Sequence, residues 1–524
     1  MPSLLECFDE NFDVNLDAYF ELRRKRRLEE EEEDEEEDDR ASEEQKKRHR
    51  KRRNYGGYDP QEALSSEWYR RYVSNVRVEK NKKHYNRFRR RFRIPYANFL
   101  QLVKDARDEN WFPEYEKPNA LGQPGIPLEV FILGSLRYLG RGWTFDDIGE
   151  STGVSEEAHR LFFKKFVKAC RKHLYPKWVK RPQTDDEVAD CMAEFVEAGF
   201  DGCIGSADVT HIILEKCQAR LKNQNLGGKS SHTTRAFQLV VNHRRQIIAS
   251  TVGFPGRWND QTVVRFDDFI LDIQRGKYLE NNEFVLHTSE GDLVKYNGSW
   301  VLVDGGYPTW TTLICPFKDT TSIKEQRWSR WAESMRKDVE CAFGIMKGLN
   351  NLLPHLTQLL YKLIYLMLFN VGRWRILKTG IRLHGIAIAD DIWFTCCAFH
   401  NMLLNVDGLD KRWKKGVKSD FEGELGWHAP GDVETYCSPL IFRRVSSGRQ
   451  GQPVRAFDAS TMGNNTTNVI PEEGHMEHEI IIGKKRNLLS ITNKNFRNLL
   501  VTSFHKKWEL GKVKWPSRTG KMAN

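Results

Sequence analysis

Two kinds of cysteine pattern are missing from this sequence. Its ten cysteines are scattered along 524 residues, with Cys396 and Cys397 adjacent, and none of them form a Cys-x-x-Cys pair. No histidine cluster lies at the spacing of a zinc site either. These absences argue against a disulfide framework and against a structural zinc site. A reducing compartment fits this use of cysteine.

Long apolar runs are missing as well. The most apolar stretch, LIYLMLF at 363–369, is far too short to span a bilayer. The first residues, MPSLLECFDENFDVNLD, have neither a positively charged start nor a long apolar centre, so we expect no secretory signal. We therefore expect a soluble protein with no membrane partner. The composition still supports a large core, because 39% of the residues are hydrophobic and they include 15 Trp and 29 Phe.

Charge is abundant and unevenly placed. The net charge is +10 at pH 7 although residues 29–39 are an unbroken run of eleven acids, so the rest of the chain is more basic still. A basic folded part is typical of a nucleic-acid-binding protein, with a merely soluble basic surface as the alternative. Residues 1–62 hold little apolar material, and we expect them to be a disordered charged tail. Their basic runs, at 23–27 and 46–53, are typical of nuclear import signals or of a solvated tail whose charges compensate; we expect the nucleus.

Between residues 63 and 185 the apolar residues recur at helical spacing. The segment TFDDIGESTGVSEEAHRLFFKKFVKACRKH predicts a short helix at 145–150, a turn at Gly153 and a longer helix capped by Ser155. This is the outline of a helix-turn-helix, so we interpret 63–185 as a helical DNA-binding region. A plain helical hairpin packed on a neighbour is nearly as good an interpretation, since no base-reading set can be identified. The residues expected to face phosphate are Arg160, Lys164, Lys165 and Lys168.

From about residue 200 the pattern changes from helices to strands. CIGSADVTHIILEK predicts a strand through Asp208, AFQLVVNHRRQIIASTVGF a hairpin, and NDQTVVRFDDFILDIQ an amphipathic helix. SWVLVDGG then predicts a strand that ends at Asp304, and SIKEQRWSRWAESMRKDVECAFGIMKG a long helix that carries Glu340. The order β, β, β, α, β, α indicates a mixed α/β sheet, which we expect within 186–405.

Three acids stand out by their places in these elements. If the first and fourth strands are neighbours, Asp208 and Asp304 lie side by side, and a helix packed on the sheet can bring Glu340 to them. Three carboxylates around an open gap repel unless cations neutralise them, and hard oxygen ligands suit Mg²⁺ or Mn²⁺. Two such ions can activate a water or a 3′-hydroxyl for in-line phosphoryl transfer. Each acid also has an ordinary alternative. Asp208 could be a buried hydrogen-bonded aspartate, Asp304 a turn residue, and Glu340 the partner of Arg336 in an ion pair within one helix.

Four segments resemble successive blocks of a known family. They are GFDGCIGSADVTHI (199–212), GFPGRWNDQTVV (253–264), LVDGGYPTWTTLICPF (302–317) and VECAFGIMKG (339–348). These blocks are similar to those of the PIF/Harbinger transposases, DDE-superfamily nucleases that include plant-transposon-type relatives, and the resemblance covers residues 85–405. It implies an RNase H-like mixed-sheet catalytic core, with Asp208, Asp304 and Glu340 as the catalytic and metal-binding acids. Asp260 matches a further acidic position of the family and is a candidate metal ligand or a helix N-cap.

The resemblance also implies an activity and partners. The family cuts DNA at transposon ends with magnesium or manganese and joins the 3′-ends to target DNA, often with a separate Myb-like DNA-binding protein. We therefore expect a metal-dependent DNA endonuclease or transposase, with self-association left open. The alternative is a domesticated or decayed relative that binds DNA without cutting it.

The sequence departs from the family after the helix that carries Glu340. There the 24 residues LNNLLPHLTQLLYKLIYLMLFNVG (349–372) precede RWRIL, and we interpret them as an insertion, either unremoved intron sequence or a gene-model error. An insertion at this place could displace the helix and inactivate the enzyme. Beyond it, residues 406–524 are polar and rich in loops, and NKNFRNLLVTSFHKKWELGKVKW predicts a terminal basic helix that contacts DNA or a partner.

Overall fold

The computed structural model describes residues 21, 25, 60–74, 78, 81–118, 125–227, 231–347, 372–411 and 486–514. Three predicted segments lie largely outside these residues. They are the charged tail at 1–62, the insertion at 349–372 apart from its last residue, and most of the loop-rich region that follows residue 406.

Helices make up the described chain before residue 200. They are α1 (Pro60–Ser65), α2 (Lys82–Phe92), α3 (Tyr96–Asp108), α4 (Leu128–Arg141), α5 (Phe145–Thr152), α6 (Glu156–His173), α7 (Tyr175–Trp178) and α8 (Asp185–Glu197), with a π-helical turn at Tyr69–Val73 and a 3-10 turn at Pro113–Tyr115.

The turn between α5 and α6 is built from local side-chain chemistry. Thr144 and Asp147 form a capping box at the start of α5. Gly153 ends that helix with a φ of 66°, in the left-handed region that glycine adopts without strain. Ser155 then accepts a hydrogen bond from the backbone N–H of Ala158 and begins α6. The two helices and the turn that the sequence predicts here are present.

The strands of the described chain form two sheets. They are β1 (Cys203–Ile213), β2 (Thr234–Val241), β3 (Ile247–Ser250), β4 (Phe254–Pro255), β5 (Glu283–His287), β6 (Leu293–Asn297), β7 (Trp300–Leu302), β8 (Leu313–Ile314) and β9 (Arg486–Asn487). The helices among and after them are α9 (Ala219–Asn225), α10 (Asp260–Val263), α11 (Asp268–Gln274), α12 (Ile323–Lys347), α13 (Ile376–Thr379), α14 (Ile386–Val406) and α15 (Asn493–Glu509), with 3-10 turns at Val264–Phe266 and Leu488–Ser490. The amphipathic helix predicted over NDQTVVRFDDFILDIQ is divided into α10, a 3-10 turn and α11, because Asp267 adopts extended backbone and caps α11.

The larger sheet combines antiparallel and parallel pairing. Its strand order is β3-β2-β1-β7-β8, and β4 pairs with β2. Strands β1, β2 and β3 are antiparallel neighbours, whereas β7 runs parallel to β1 and β8 parallel to β7. The mixed α/β architecture is confirmed, and the first and fourth predicted strands, β1 and β7, are neighbours.

One continuous buried cluster joins the helical region to the sheet. It runs from Phe88 in α2 through Phe162 in α6 to Phe237 in β2 and Trp393 in α14. The rings of Phe237 and Trp393 are stacked, with centroids 4.7 Å apart. The helical region and the sheet therefore share a core, with α14 between them. None of the helices in the described ranges is long and apolar enough to cross a membrane.

The smaller sheet is assembled from residues far apart in the chain. Strands β5 and β6 form an antiparallel hairpin, and β9 pairs in parallel with β6. Helix α15 packs on β5 and α12, with Phe496 and Phe504 buried in the same cluster as Trp300 of β7. Lys507 of α15 adds an ion pair with Asp201, at 2.6 Å. The terminal helix that the sequence predicts is present, and its apolar face belongs to the folded core.

The backbone past the end of α12 returns to that helix. The N–H groups of Arg373 and Trp374 donate hydrogen bonds to the carbonyls of Ile345 and Met346, each at 2.8 Å. An α-helix makes such bonds between residues four apart in sequence. Arg373 and Trp374 therefore occupy the places of the next residues in a continuous helix.

Candidate functional site

The parallel pairing of β1 with β7 fixes the places of two acids. Ser206 of β1 is paired with Leu302 of β7. Asp208 lies two residues beyond Ser206 and Asp304 two residues beyond Leu302, so the same register puts the two aspartates side by side. Both side chains are partly buried. The structure thus brings these two predicted site residues together.

The turn after β7 places a third acid next to Asp304. Oδ1 of Asp304 accepts a hydrogen bond from the backbone N–H of Gly306 at 2.8 Å, which is ordinary Asp-Gly turn chemistry. A Cβ on Gly306 would lie 3.0 Å from that oxygen and 3.1 Å from Oδ2 of Asp260. The glycine therefore leaves the room in which these two carboxylates approach each other. Asn259 is the cap of α10, through its bond to the N–H of Thr262, so the side chain of Asp260 faces the turn instead.

Glu340 lies on α12 and forms an ion pair with the arginine one turn earlier. Nη2 of Arg336 is 2.8 Å from Oε1 of Glu340 and 2.8 Å from Oε1 of Glu333. The side chain of Arg336 is 9% exposed, whereas that of Glu340 is 43% exposed. The ion pair between Arg336 and Glu340 that the sequence offered as an alternative is therefore present, and it holds Glu340 on the solvent side of α12.

Burial and neighbouring acids make Asp208 hard to ionise. The pKa of Asp208 is raised to about 7; burial is the largest cause, and the charges of Glu340 and Asp304 contribute, against the opposing charge of Arg336. Burial also raises the pKa of Tyr307 well above its usual range, and the carboxylates around its hydroxyl add to that effect. The acids are close enough to repel one another, as carboxylates that share a cation do when the cation is absent.

The donor set fits a hard divalent cation in chemistry and charge. Carboxylate oxygens are the ligands that Mg²⁺ and Mn²⁺ prefer, and a cation at Asp208, Asp260 and Asp304 would relieve their repulsion. Within the described ranges, no group of three or more His, Cys, Asp or Glu side chains is already arranged to hold a metal ion. Glu340 is paired with Arg336, so it has to leave that ion pair to join the other acids.

Two comparisons with known proteins bear on this site. The family model described as plant transposon protein matches residues 177–367, which include all four acids. The chain is also 22% identical over 289 residues to the Arabidopsis thaliana protein named ALP1-like. Both matches support a likeness to the PIF/Harbinger-type, transposase-derived family. The second match covers 55% of this chain and 63% of the relative, so the chain spans less than two thirds of that protein. No solved structure matches the chain.

The match to the plant transposon family also reaches into the segment predicted as an insertion. That segment begins at residue 349, and the family match ends at residue 367. The flanks of the segment are described, whereas the segment itself lies outside the described residues up to its final glycine.

Two lysines that the sequence pattern does not single out lie close to the acids. A Cβ on Gly305 would lie 3.0 Å from Nζ of Lys318, so this exposed lysine lies over the turn after β7. Lys347 is buried at the end of α12, where its Nζ donates to Oγ1 of Thr210 on β1 at 2.5 Å. Burial lowers the pKa of Lys347 to about 8, against the opposing charge of Asp208. Spacing could not identify either residue, because most lysines on helices and loops are solvated.

A buried hydrogen-bond chain supports the turn that carries the acids. The hydroxyl of Tyr307 donates to Oε1 of Gln238 at 3.1 Å, and Nε2 of Gln238 donates to Asp267. Asp267 in turn accepts from the N–H of Ile270 at 3.1 Å and so caps α11. This chain ties β2 and α11 to the turn, which fixes the direction of the Asp304 side chain.

The four basic residues predicted to face phosphate lie on α6, where their spacing puts them on one face. Nη2 of Arg160 is 2.5 Å from Oε1 of Glu157, and Nζ of Lys165 is 2.6 Å from Oε1 of Glu114. The opposite face of α6 packs against α4, α5 and α14. Because two of the four are paired with glutamates, this face offers less positive charge than the sequence suggests.

Proposed function

We propose that this chain is a metal-dependent DNA endonuclease or transposase that cuts and joins DNA phosphodiesters by in-line phosphoryl transfer. The proposal depends chiefly on the parallel register that puts Asp208 beside Asp304, with Asp260 at the same turn. The family match over residues 177–367 supports it. The net charge of +10 supports it as well, because a basic protein attracts a polyanion.

The proposed catalytic residues are Asp208, Asp304 and Glu340, with Asp260 as a further metal ligand. Asp208 lies within β1, Asp304 lies two residues after β7, and Asp260 and Glu340 lie on helices, so the backbone of each acid is held by regular structure or a tight turn. When bound, Mg²⁺ or Mn²⁺ supplies the charge that activates a water or a 3′-hydroxyl and stabilises the leaving oxygen. Lys318 is exposed over the same turn, where an ammonium group can contact a phosphate oxygen.

We propose an RNase H-like core over residues 186–405, preceded by a helical DNA-binding domain over 63–185. The strand order β3-β2-β1-β7-β8, antiparallel in its first part and parallel in its second, supports the core. Helices α5 and α6 form the proposed helix-turn-helix-like pair. We propose a nuclear location on the basic runs at 23–27 and 46–53. A Myb-like partner protein and self-association are proposed on the family likeness.

Nicking of supercoiled plasmid DNA by the full chain in Mg²⁺ or Mn²⁺ tests the proposed activity. Wild type should nick the plasmid, and EDTA should stop the reaction. Asp304→Asn should lower the rate by about a thousandfold, because losing one carboxylate removes several kcal/mol of charge stabilisation at the metal. Asp319→Asn removes the same charge from an exposed position and should leave the rate unchanged. Nicking that survives Asp304→Asn refutes the assigned site.

A relative that binds DNA without cutting it is the second candidate. The ion pair between Arg336 and Glu340 favours this candidate, since it occupies the carboxylate of one of the three acids. Duplex binding by wild type, with no nicking in either metal, would decide for it.

A further inference from the structure

Two helices of the N-terminal region end at the same place and bring arginines together. Helix α2 ends before Arg93, whose φ of 70° is left-handed, and α4 ends at Arg141. Arg93 is 2% exposed. Burial lowers its pKa to about 9, and the like charges that add to this effect belong to Arg141, Arg137, Arg375 and Arg90. We call these five residues the arginine cluster.

The helix ends stabilise part of this charge. Nε of Arg93 donates to the carbonyl of Gly140 in α4, and Nη1 of Arg137 donates to the carbonyl of Arg91 in α2, each at 3.2 Å. Each arginine thus caps the other helix at its C-terminal end, where the backbone dipole favours positive charge. The guanidinium of Arg137 also lies 3.7 Å from the ring centre of Trp143.

Two donors of the cluster are buried and unused. They are Nη2 of Arg93 and Nε of Arg137, a residue that is 8% exposed. A buried donor without an acceptor costs free energy. Across the described ranges, no carboxylate forms an ion pair with any of the five arginines. Asp147 acts weakly on Arg137, but the carboxylate of Asp147 is held by Thr144 in the capping box of α5.

Other buried arginines of the chain are compensated by acids. Arg89, next to the cluster on α2, pairs with Asp407 at 2.6 Å, and Arg244 pairs with Glu194 at 2.7 Å. The fold thus supplies a carboxylate where a buried arginine has a structural role. The arginine cluster lacks one, which indicates an anion from outside the described chain.

We propose that the arginine cluster is a second DNA-contact site, at which backbone phosphates accept hydrogen bonds from its guanidinium groups. Arginine suits this role because its planar N–H donors match the geometry of phosphate oxygens. Arg90 and Arg375 are exposed and Arg141 is partly buried, so DNA can reach the cluster from that side. This inference rests on the proposed function, because the cluster would hold the same DNA that the acids cut.

The position of the cluster relative to the acids favours DNA over a small phosphate compound. Ile381, six residues after Arg375, is bridged to Leu214, the residue after β1. Asp208 lies six residues before Leu214 on the same strand. At about 3.3 Å per residue, Asp208 lies roughly 20 Å from Leu214, and the bridge to Ile381 then leads through α13 to Arg375 of the cluster. A duplex that carries one charge per about 1.7 Å of its axis extends over that distance, whereas a free phosphate or a mononucleotide does not.

Binding of a mixed-sequence duplex to the full chain tests the proposal. Fluorescence anisotropy in EDTA, at a series of KCl concentrations, reads binding without metal-dependent cutting. Arg141→Gln/Arg375→Gln should raise Kd about tenfold or more and lower the slope of log K against log salt by about 2, near 0.9 for each lost phosphate contact. The control Arg71→Gln/Arg107→Gln removes the same charge from two arginines that are paired with glutamates, and its Kd should stay within about twofold of wild type.

Two further measurements keep the proposal open to refutation. Arg90→Gln/Arg375→Gln changes only exposed residues and should weaken binding in the same way without risk to the fold. Without DNA, both cluster variants should melt at or above the temperature of wild type, because self-repulsion is reduced; a clear fall in Tm would show a structural role instead. Equal losses in cluster and control variants, or no duplex binding by wild type, would also overturn the proposal. If wild type binds DNA through the cluster but never nicks plasmid, the proposed nuclease activity is refuted and the proposed DNA-contact site is supported.

Discussion

Arg336 is the single residue on which the charge of the acidic site depends most. It pairs with Glu333 and Glu340 and lowers the pKa of Asp208. Arg336→Met leaves these acids without their cation, so we expect metal-free stability to fall by about 1 kcal/mol, because both glutamates are partly exposed and water screens the pairs. Because Glu340 is then released, Mn²⁺ should raise the Tm of the variant more than that of wild type in thermal unfolding.

Lys337→Met is the matched control for this change. It removes the same charge from the next residue of α12, so it should alter neither the metal-free stability by more than about 0.5 kcal/mol nor the response to Mn²⁺. An equal Mn²⁺ response in wild type and the Arg336 variant would show that this arginine does not compete with a cation for Glu340.

His159 gives the helical region a dependence on pH. It is 2% exposed and shares a hydrogen bond of 2.8 Å with Oγ1 of Thr152, and burial lowers its pKa to about 3. Between pH 6.5 and pH 3 the imidazole is protonated in the unfolded chain but not in the folded one. The free energy of unfolding therefore falls by about 1.4 kcal/mol for each unit by which the pH is lowered. Urea unfolding at pH 7, 6 and 5 should show at least this slope for wild type, because burial also lowers the pKa of His400 to about 3. His159→Gln should flatten the slope, and an unchanged slope would assign it to other groups.

Some of these residues could be predicted from the sequence and others could not. Asp208 and Asp304 could be predicted because a strand pattern fixes where each acid lies. The ion pair of Arg336 could be predicted because this residue is four positions before Glu340. The hairpin of β2 and β3 is present as predicted, but its pattern gives no sign that the polar residues His243 and Arg244 of its turn are buried, at 0% and 1% exposed. Their acidic partners lie on α12 and α8, far away in sequence, and local polarity carries no sign of them.

At the scale of elements, the backbone hydrogen bonds at the end of α12 predict the effect of deleting residues 349–372. Arg373 and Trp374 bond to Ile345 and Met346, so joining residue 348 to Arg373 restores the spacing of four residues. Deletion of 349–372 should therefore give one unbroken helix. We expect higher solubility, a higher Tm by differential scanning fluorimetry, and faster metal-dependent nicking if the nuclease is active.

A deletion shorter by one residue controls for loss of the segment itself. Removing 349–371 leaves one extra residue, which turns everything after it by about 100° on a helix with 3.6 residues per turn. Trp374, which is 0% exposed, would then leave the core. If both deletions behave alike, the helical register has no part in the effect.

At the scale of the whole molecule, α15 completes a core that begins some three hundred residues earlier in the sequence. Phe504 is fully buried, with its ring centre 5.7 Å from that of Phe200 and 5.8 Å from that of Trp331. Phe504→Ala should cost about 3–5 kcal/mol of unfolding free energy in urea titrations. Leu510→Ala, at a residue that is 48% exposed, should cost less than about 0.5 kcal/mol. Equal costs would mean that α15 is not held in the core.

The overall class of fold could be predicted from the sequence. The packing of β9 and α15 onto earlier elements could not. Alternating strand and helix patterns indicate a mixed α/β sheet from residues that are near in sequence. The smaller sheet needs β9 beside β6, across a long stretch of chain, and no local pattern selects that pairing. The same holds for α15, whose basic residues suggested an exposed contact although Phe496 and Phe504 are both buried.

The place of α15 has a consequence for how the protein is made. A ribosome adds about 5–20 residues per second, so α12 leaves it roughly 8 to 30 seconds before α15 follows, and β5 leaves earlier still. Until then Phe284, Trp300 and Trp331 lack the helix that covers them. The nascent chain therefore carries an open apolar surface until α15 emerges. Slower translation lengthens this exposure and should lower the yield of folded protein.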